Sequence, residues 1–545
     1  MRSNLFVRIV RRIQSLKVPR SVARFMDHNR WVFKPVSVSL DTPLVLMEFN
    51  EMHSAQIAYS YLANVLAQPI GARIVAYLPR PLVNWRDRLL FFVCSGLGLY
   101  TFGVYRSFGV LDFLAISPNR AQKQRAALLL TAVLAQLKTK TDLEDLTIDG
   151  AWIGDLIYDT YLMRFRRPTI DLRSDEFRGF LGESLESFVF WQDFVSTNLI
   201  KGINVSHCVY NLAMPLRLAV LLDIPVFQAG LTHVYRLNHH NLFAYSDYKS
   251  YPERFAKLSP EVRQEGLALA RQRIERRFAG EVGVDMLYST SSAYGRLRQG
   301  QLLLPSLRKK ILIATHCFFD SPHSYGNNLF PDFWEWLDFL GILSGETDYD
   351  WYIKTHPDYL PGTLEIVQGF IRRYPKFTLL PSDASHHQII AEGIDVVLTV
   401  YGTIGFEYAA LGKSVVNCSL SNPHVAYNFN LHPRSVEEYR IMIRDLDHLP
   451  LSIDLDQVYE FYFMHHLYNT QDLFLDDYSG ALDAMGGYSA QFTPAIFDQW
   501  LAQWTPERHS LTMSALSRFI DSCDFRMDYS HYGRESSFQP SAEKI

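Results

Sequence analysis

The sequence predicts an α/β fold of two doubly wound domains that face each other across a cleft, with further helices at the C-terminus. Short apolar strands alternate with helical segments in two separate stretches, a pattern typical of parallel sheets covered by helices on both faces. The length of 545 residues exceeds what one hydrophobic core usually serves, so two large domains are expected. In the second stretch, polar and glycine-containing motifs follow the strands, where open α/β sheets bind their ligands.

The first domain is expected over residues 41–296 as a Rossmann-like unit. It opens with a strand at 44–50, a helix at 53–66 and a strand at 73–78, which together predict the start of a parallel sheet. Further helices are predicted at 122–138, 174–200, 213–222 and 260–280, and further strands at 152–158, 205–210 and 224–227.

Residues 297–310 are predicted to link this unit to a second Rossmann-like domain over 311–450. Residues 451–522 are predicted to form helices that pack back on the first domain, and the polar tail 523–545 is predicted to be disordered. The second domain's strands are predicted at 311–315, 351–354, 378–380, 396–400 and 414–417, and its helices at 331–343, 363–373, 386–392 and 404–411.

The composition is that of a folded cytoplasmic protein. Hydrophobic residues make up 48% of the chain and aromatic residues 14%, which excludes a largely disordered chain. The net charge of −4 argues against bulk nucleic-acid binding. The five cysteines have no metal-binding or redox spacing, and no secretory signal is visible, so free thiols in a reducing compartment are expected.

The N-terminus is strongly basic. Residues 1–30 carry eight lysines and arginines against one acid, Asp27. Apolar side chains from Phe6 to Leu16 fall on one helical face, so a basic amphipathic extension over 1–40 is predicted to contact anionic lipid at the inner face of the cytoplasmic membrane. The alternatives are a solvated extension or a helix docked on its own domain. The uncharged stretch 89–105 is shorter than a spanning helix, and we predict a buried helix there, with shallow membrane contact as the alternative.

Lys354 and His356 end a predicted strand. Pro357 disfavours a helical conformation at His356 and holds it extended at the strand tip. Lys354 lies on the same side of the strand, because side chains alternate. Both side chains are therefore predicted to donate hydrogen bonds to a phosphate group of a bound nucleotide donor. The alternative is a capping histidine beside a solvated lysine.

A glycine-containing turn follows the strand at 396–400. Its glycines allow a close approach of backbone to ligand, and a helix N-terminus that follows it would attract an anion. Thr403 is a candidate N-cap, and Glu407, one turn into the helix, is predicted to accept ribose hydroxyls. The alternative for Glu407 is a capping-box role. The predicted donor-binding residues of this motif are Tyr401, Gly402, Thr403, Gly405 and Glu407.

Ser421, Asn422 and His424 follow the next strand and are also predicted to face the donor. Asn422 or His424 would contact base, phosphate or sugar. The alternative is a plain turn, since Ser-Asn-Pro favours turns.

The loop at 315–328 holds His316, Asp320 and His323, residue types that bind metals. No fourth ligand has a recognisable spacing, so a substrate loop is favoured over a metal site.

Transfer of a group from such a nucleotide donor to a hydroxyl needs a base that takes the proton of that hydroxyl. This base is expected in the first domain, across from the nucleotide donor. Glu48, Glu51 and His53 cluster after the first strand, and Glu51 and His53 are the first choices. Asp155 and His233 follow other strands and are further candidates. For each of them the alternative is a hydrogen-bonded loop residue.

Three motifs resemble those of bacterial GT-B glycosyltransferases that build capsule and surface polysaccharide, a group that includes capsular Kdo transferases. They are KTHPD (354–358), YGTIGFEYAALGKSVV (401–416) and SNPH (421–424). The resemblance implies a GT-B-like fold in which the first domain binds the acceptor and the second binds a nucleotide-sugar donor. It also implies that His356 contacts the donor phosphate and that Glu407 lies in the nucleotide site.

We therefore expect a glycosyltransferase that needs no metal and no cofactor. It would move a sugar from a CMP- or UDP-activated donor to a growing surface polysaccharide or a lipid-linked acceptor. Two alternatives stay open: a CDP-polyol phosphotransferase of the teichoic-acid type, and a non-catalytic GT-B scaffold in polysaccharide assembly. A phosphodiester product would favour the first alternative. Polymer synthesis that survives His356→Ala and Glu407→Ala would favour the second.

Overall fold

The computed structural model describes residues 18–33, 42–82, 84–286, 289–295, 297–356, 359–449, 452–468 and 472–533. The apolar face predicted from Phe6 to Leu16 lies outside these residues.

The first domain is built on a six-stranded sheet with the order β3-β2-β1-β6-β7-β8. Neighbouring strands are parallel except for β8, which pairs with β7 antiparallel. A separate hairpin is formed by β4 and β5. The strands are β1 (Leu44–Glu48), β2 (Arg73–Tyr77), β3 (Val110–Leu114), β4 (Thr147–Ile148), β5 (Ala151–Trp152), β6 (Ile200–Val205), β7 (Val226–Ala229) and β8 (Val234–Leu237).

The second domain is built on a five-stranded parallel sheet with the order β11-β10-β9-β12-β13. All five strands lie close to their predicted positions, because each is a short apolar run bounded by turn residues. They are β9 (Lys310–Ala314), β10 (Asp350–Lys354), β11 (Phe377–Leu379), β12 (Val396–Thr399) and β13 (Ser414–Asn417).

Helices cover both sheets. Those that precede β9 are α1 (Arg20–Val32), α2 (His53–Ala67), α3 (Trp85–Leu97), α4 (Thr101–Ser107), α5 (Arg120–Gln136), α6 (Lys140–Glu144), α7 (Gly154–Phe165), α8 (Asp175–Thr197), α9 (Met214–Leu221), α10 (Tyr251–Ala256) and α11 (Pro260–Phe278). Those that follow are α12 (Phe333–Ser344), α13 (Thr363–Arg373), α14 (His386–Ala391), α15 (Ile404–Ala410), α16 (Val436–Arg444), α17 (Leu455–Tyr462), α18 (Tyr478–Ala484), α19 (Ala495–Gln503) and α20 (Pro506–Asp521).

Both sheets are doubly wound, which confirms the predicted GT-B-like fold class. In the first sheet the chain moves outward from β1 through β2 and β3, and then continues on the other side of β1 with β6 and β7. The second sheet repeats this around β9, with β10 and β11 on one side and β12 and β13 on the other. Each sheet therefore has a switch point, between β1 and β6 and between β9 and β12, where ligands of such sheets bind.

Some helices pack on the domain other than the one in which the sequence places them. Helices α10 and α11 lie within the predicted first domain, 41–296, and pack with Phe406 and Phe461 in the second domain. Helix α17 belongs to the same cluster, whereas α18, α19 and α20 pack on the first domain. A continuous helical pattern does not show which sheet it covers, because both sheets offer apolar faces.

Two described segments near the chain ends, 20–32 and 523–533, pack on the first domain. Helix α1 docks on the first domain, and its Phe25 stacks on Phe497 of α19 with ring centroids 4.0 Å apart. Residues 523–533 are ordered, since Met527 donates its backbone N–H to the carbonyl of Val234 at 2.9 Å and is itself buried. The predicted extension over 1–40 and the predicted disorder from residue 523 are therefore wrong in these parts.

Two predicted strands of the first domain are also wrong. The run at 152–158 is a strand only at its start, and helix α7 begins at Gly154. A Cβ at Gly154 would lie 1.9 Å from the carbonyl oxygen of Leu143, so this close contact requires glycine. The strand predicted at 205–210 is β6, which begins at Ile200 and ends at Val205. Short apolar runs fit a buried helix and a buried strand equally well.

Candidate donor site in the second domain

A pocket with about 850 Å³ of empty space, its open mouth included, lies at the carboxyl ends of β9, β10 and β12. This is the switch point of the second sheet. Its walls come from three strand ends, from α14 and α15, and from the chain that follows α11. The charged and aromatic side chains among them include Arg277, Tyr294, His316, Lys354, His356, His386 and Glu407.

Lys354 and His356, which are predicted to contact a phosphate, both line this pocket. Lys354 is only 3% exposed, and burial lowers its pKa to about 8, although Glu407 and Asp383 act in the opposite direction. Its ammonium is therefore mostly protonated at neutral pH, inside a pocket that shields it from water. A buried cation of this kind favours an anionic ligand. His356 lies two residues beyond the end of β10 and is exposed.

Glu407 lies in the pocket, but its carboxylate is already engaged. Arg277 contacts Oε1 through Nη2 at 2.6 Å and through Nε at 2.8 Å. The Tyr294 hydroxyl donates to Oε2 at 2.8 Å. A carboxylate has about four lone-pair positions, so Oε2 keeps capacity for one further donor such as a ribose hydroxyl. The ion pair also cancels the negative charge that Glu407 would otherwise present to a phosphate.

The first backbone N–H groups after β12 are already engaged within the protein. The N–H groups of Val400 and Tyr401 point to Nε2 of His316, at 3.3 and 3.4 Å, and the N–H of Gly402 donates to Oγ1 of Thr399 at 3.3 Å. Burial lowers the pKa of His316 to about 3, so the ring is neutral and Nε2 is free to accept. The ring of Tyr401 contacts His316 and its hydroxyl donates to Ser321, which keeps it out of the pocket lining.

The helix after this turn is also a weaker anion site than predicted. Helix α15 has seven residues, and Thr403 makes no side-chain cap although it lines the pocket. The glycine at 405 has a packing role, because a Cβ there would lie 2.5 Å from the ring of His424. Gly402 lines the pocket, and a Cβ there would lie 2.9 Å from Thr399 Oγ1. The positive potential of the pocket therefore comes mainly from Lys354 and from the other basic side chains that line the pocket.

The Ser421–His424 segment is a structural turn and does not reach the pocket. Asn422 and His424 are buried, and Asn417 donates its side-chain amide to Oδ1 of Asn422 at 3.0 Å. Burial lowers the pKa of His424 well below its usual value, which is expected of a neutral core histidine. The Ser421 carbonyl accepts the hydroxyl of Tyr248. The predicted donor contacts of these residues are thus wrong, and the turn alternative holds.

The loop at 315–328 joins the two domains. His323 is fully buried between Asp159, at 2.6 Å, and Glu144, at 3.2 Å, both in the first domain. Burial alone would lower its pKa, but the two carboxylates raise it well above the usual value. Asp320 accepts the hydroxyl of Tyr210 at 2.7 Å. Within the part of the chain that the structure describes, no group of three or more His, Cys, Asp or Glu side chains is placed to hold a metal ion.

The predicted first-domain bases lie in different surroundings. Glu51 is exposed, and His53 packs against Phe497 with ring centroids 5.2 Å apart, where burial lowers its pKa. Asp155 is at the start of α7 and forms a buried ion pair with Arg217 at 2.6 Å. This pair occupies both carboxylate oxygens, an arrangement that favours a structural role of Asp155 over that of a base. Burial lowers the pKa of His233 to about 3.

Glu48 is the carboxylate at the switch point of the first sheet. It ends β1, and Ser206, directly after β6, donates its backbone N–H to Glu48 Oε2 at 2.8 Å and its hydroxyl to Oε1. Burial raises the pKa of Glu48 to about 7, although Ser206 and Arg80 act to lower it. Such a carboxylate takes up a proton near neutral pH, which suits general acid or base chemistry.

Three pocket residues could not be predicted from the sequence. Arg277 and Tyr294 lie 130 and 113 positions before Glu407 and meet it only in the folded chain. His386 lines the pocket, and its Nδ1 and the hydroxyl of Tyr408 share a hydrogen bond at 2.7 Å. No short motif joins these residues, so only the arrangement of α11, α14 and α15 brings them together.

No family model matches the chain, and no curated protein matches it. Solved structures align with it at low similarity. UDP-GlcNAc 2-epimerase from Neisseria meningitidis, bound to UDP-GlcNAc, is 11% identical over 77% of this chain and 97% of its own, with a TM-score of 0.23. MurG from Acinetobacter baumannii is 10% identical over 78% of this chain and 94% of its own, with a TM-score of 0.21. The wall teichoic acid polymerase TagF is 12% identical over 96% of this chain and 98% of its own, with a TM-score of 0.19. At these values the alignments carry no argument about activity, and the fold class rests on the two sheets described above.

Proposed function

We propose that this protein is a glycosyltransferase that takes a sugar from a nucleotide-activated donor. One observation carries the proposal: a buried lysine, Lys354, and His356, two residues further on, line a pocket at the switch point of the second sheet. Open α/β sheets bind their small ligands and cofactors at such points. The lysine gives this pocket a preference for an anion such as a phosphate.

The chemistry follows from where charge develops. When the bond between the sugar and the donor phosphate breaks, the leaving phosphate gains negative charge. Lys354, which is shielded from water, would stabilise that charge most strongly, and the exposed His356 at the pocket mouth would add a second donor. Glu407, held by Arg277 and Tyr294, would accept a ribose hydroxyl and orient the nucleotide. The first domain would bind the acceptor and supply the base.

The finer parts of the proposal rest on the motif resemblance. The donor would be CMP- or UDP-activated, and the acceptor a growing surface polysaccharide or a lipid-linked glycan of the capsule type. The reaction would take place in the cytoplasm, without a metal or cofactor.

Product analysis tests this function. The full chain is incubated with labelled CMP-, UDP-, CDP- and GDP-activated sugars and a bacterial glycolipid extract, and the new bond is identified by mass spectrometry. We expect a glycosidic bond, release of the nucleotide, and loss of both in the His356→Ala variant. A phosphodiester in the product would replace the proposal with polyol-phosphate transfer. Turnover that survives His356→Ala would remove the assigned role of that residue.

Replacing Glu48 with glutamine is expected to lower kcat by roughly 10²- to 10⁴-fold, because a positioned general base contributes about that much. The donor Kd should stay unchanged, since the donor pocket belongs to the other domain. The measurement is steady-state kinetics beside calorimetric donor binding.

Glu51→Gln is measured beside it, because Glu51 is an exposed carboxylate three residues away and the alternative candidate base. If Glu51→Gln abolishes turnover and Glu48→Gln does not, Glu51 is the base, as the sequence first suggested. The melting temperature of each variant separates a chemical loss from a folding loss.

A further inference from the structure

Helix α3 presents an apolar stripe to solvent. Trp85, Leu89, Phe92 and Leu97 are 69%, 55%, 75% and 70% exposed. Trp85, Leu89 and Phe92 follow the spacing of one helical face, so their side chains form a continuous surface. The buried helix predicted for 89–105 is therefore wrong for α3. Soluble proteins rarely leave a continuous apolar patch of this kind uncovered without a partner.

The dimensions of α3 fit a helix that lies in a membrane surface. Within the described residues, the stretch Trp85–Ser107 is long and apolar enough to cross a membrane, and only 22% of its apolar window is buried. It is not one straight helix, because the chain breaks between α3 and α4 at Gly98 and Tyr100, both with positive φ. The 13 residues of α3 reach roughly 20 Å, less than the ~30 Å of a bilayer's hydrocarbon core.

The charges around α3 indicate an anionic bilayer. The first turn carries two exposed arginines, Arg86 and Arg88, and one exposed acid, Asp87, and Arg86 lies over the ring of Trp85 at 5.6 Å. Tryptophan and basic side chains are both enriched at the level of lipid headgroups. Helix α4 ties α3 to the basic N-terminus, since Asn29 of α1 donates to Ser107 at 3.1 Å. Residues 1–17, which precede α1, hold five basic residues and no acid.

We propose that α3 is a membrane-docking helix that lies in the surface of an anionic bilayer with Trp85, Leu89 and Phe92 among the acyl chains. The basic residues of α3 and of the N-terminus contribute electrostatic attraction, while the apolar stripe provides the insertion. This assigns the main contact to α3 and not to residues 1–30, where the sequence alone placed it. The inference does not depend on the proposed reaction.

Vesicle flotation of the full chain tests the proposal. Vesicles of phosphatidylethanolamine with phosphatidylglycerol provide an anionic surface, and phosphatidylcholine vesicles provide a neutral one. The double variant Leu89→Asp with Phe92→Asp is expected to bind anionic vesicles at least about tenfold more weakly, because two apolar side chains are lost from the bilayer. Leu128→Asp, on α5, is the matched control, since Leu128 is as exposed as Phe92 and lies on another helix. It should bind as the wild type does.

Three outcomes would overturn the proposal. The first is binding of the double variant equal to wild type. The second is that a protein without residues 1–17 loses all binding to anionic vesicles, while the full-length double variant still binds them. The third is sedimentation, measured without vesicles, in which the wild type is a dimer and the double variant is a monomer. The stripe would then be a self-association surface. Equal melting temperatures and equal nucleotide affinity of the variants, measured without vesicles, show that the fold and the donor pocket are intact.

Discussion

Replacing Asp155 with asparagine is expected to lower the free energy of unfolding by about 3–5 kcal/mol, because it leaves the guanidinium of Arg217 buried without its counter-charge. Both side chains are only 1% exposed, and the guanidinium is enclosed by the rings of Trp152 and Phe243. Urea unfolding followed by tryptophan fluorescence measures the change. At a temperature where the variant is folded, donor affinity should equal that of the wild type.

The exposed pair of Arg164 and Glu183 provides the control. Its side chains are 47% and 62% exposed, so Glu183→Gln is expected to cost less than about 1 kcal/mol. If Asp155→Asn unfolds at the wild-type urea concentration and yet abolishes sugar transfer, Asp155 acts in chemistry and the structural assignment is wrong.

Replacing Lys354 with methionine is expected to weaken nucleotide binding roughly ten- to hundredfold, because a charge-assisted hydrogen bond to a phosphate is lost in a buried site. Methionine keeps much of the length of the lysine side chain, so the fold should persist. Calorimetric titration with UDP, CMP and CDP measures the change. Lys376→Met is the control, since Lys376 is exposed and precedes β11 at the opposite end of the sheet.

The same residue predicts the pH dependence of binding. An anion binds the protonated ammonium, and burial lowers the pKa of Lys354 to about 8. Wild-type affinity should therefore fall as the pH rises from about 7 to about 9, where the amine loses its proton. In Lys354→Met this slope should disappear. A slope of equal size in both proteins would show that another group controls binding.

The local pattern of the sequence predicted the parts of the site that depend on one strand. Lys354 and His356 line the pocket because an apolar run before a His-Pro pair ends a strand there, and strand ends of a parallel sheet meet at one edge. Glu407 also reaches the pocket, since it lies one turn into the helix after the neighbouring strand end. Their roles toward a donor remain predictions.

Other parts depend on contacts that no local pattern encodes. Asn422 and His424 have the residue types of a ligand site, but in the folded chain they satisfy each other and Asn417 in the core. Arg277 meets Glu407 only because α11 crosses to the second domain. The stretch at 89–105 is apolar enough for a core helix, and only the packing of its neighbours shows that α3 is left uncovered.

Hydrogen–deuterium exchange of the full chain, with and without a saturating nucleotide that binds, tests the central claim most directly. We expect the nucleotide to slow exchange in the peptides that cover 354–356 and 399–407, and to leave those of the first switch point, 47–52 and 205–210, unchanged. Protection confined to the first domain, or none at the ends of β10 and β12, would contradict a phosphate site built on Lys354 and His356.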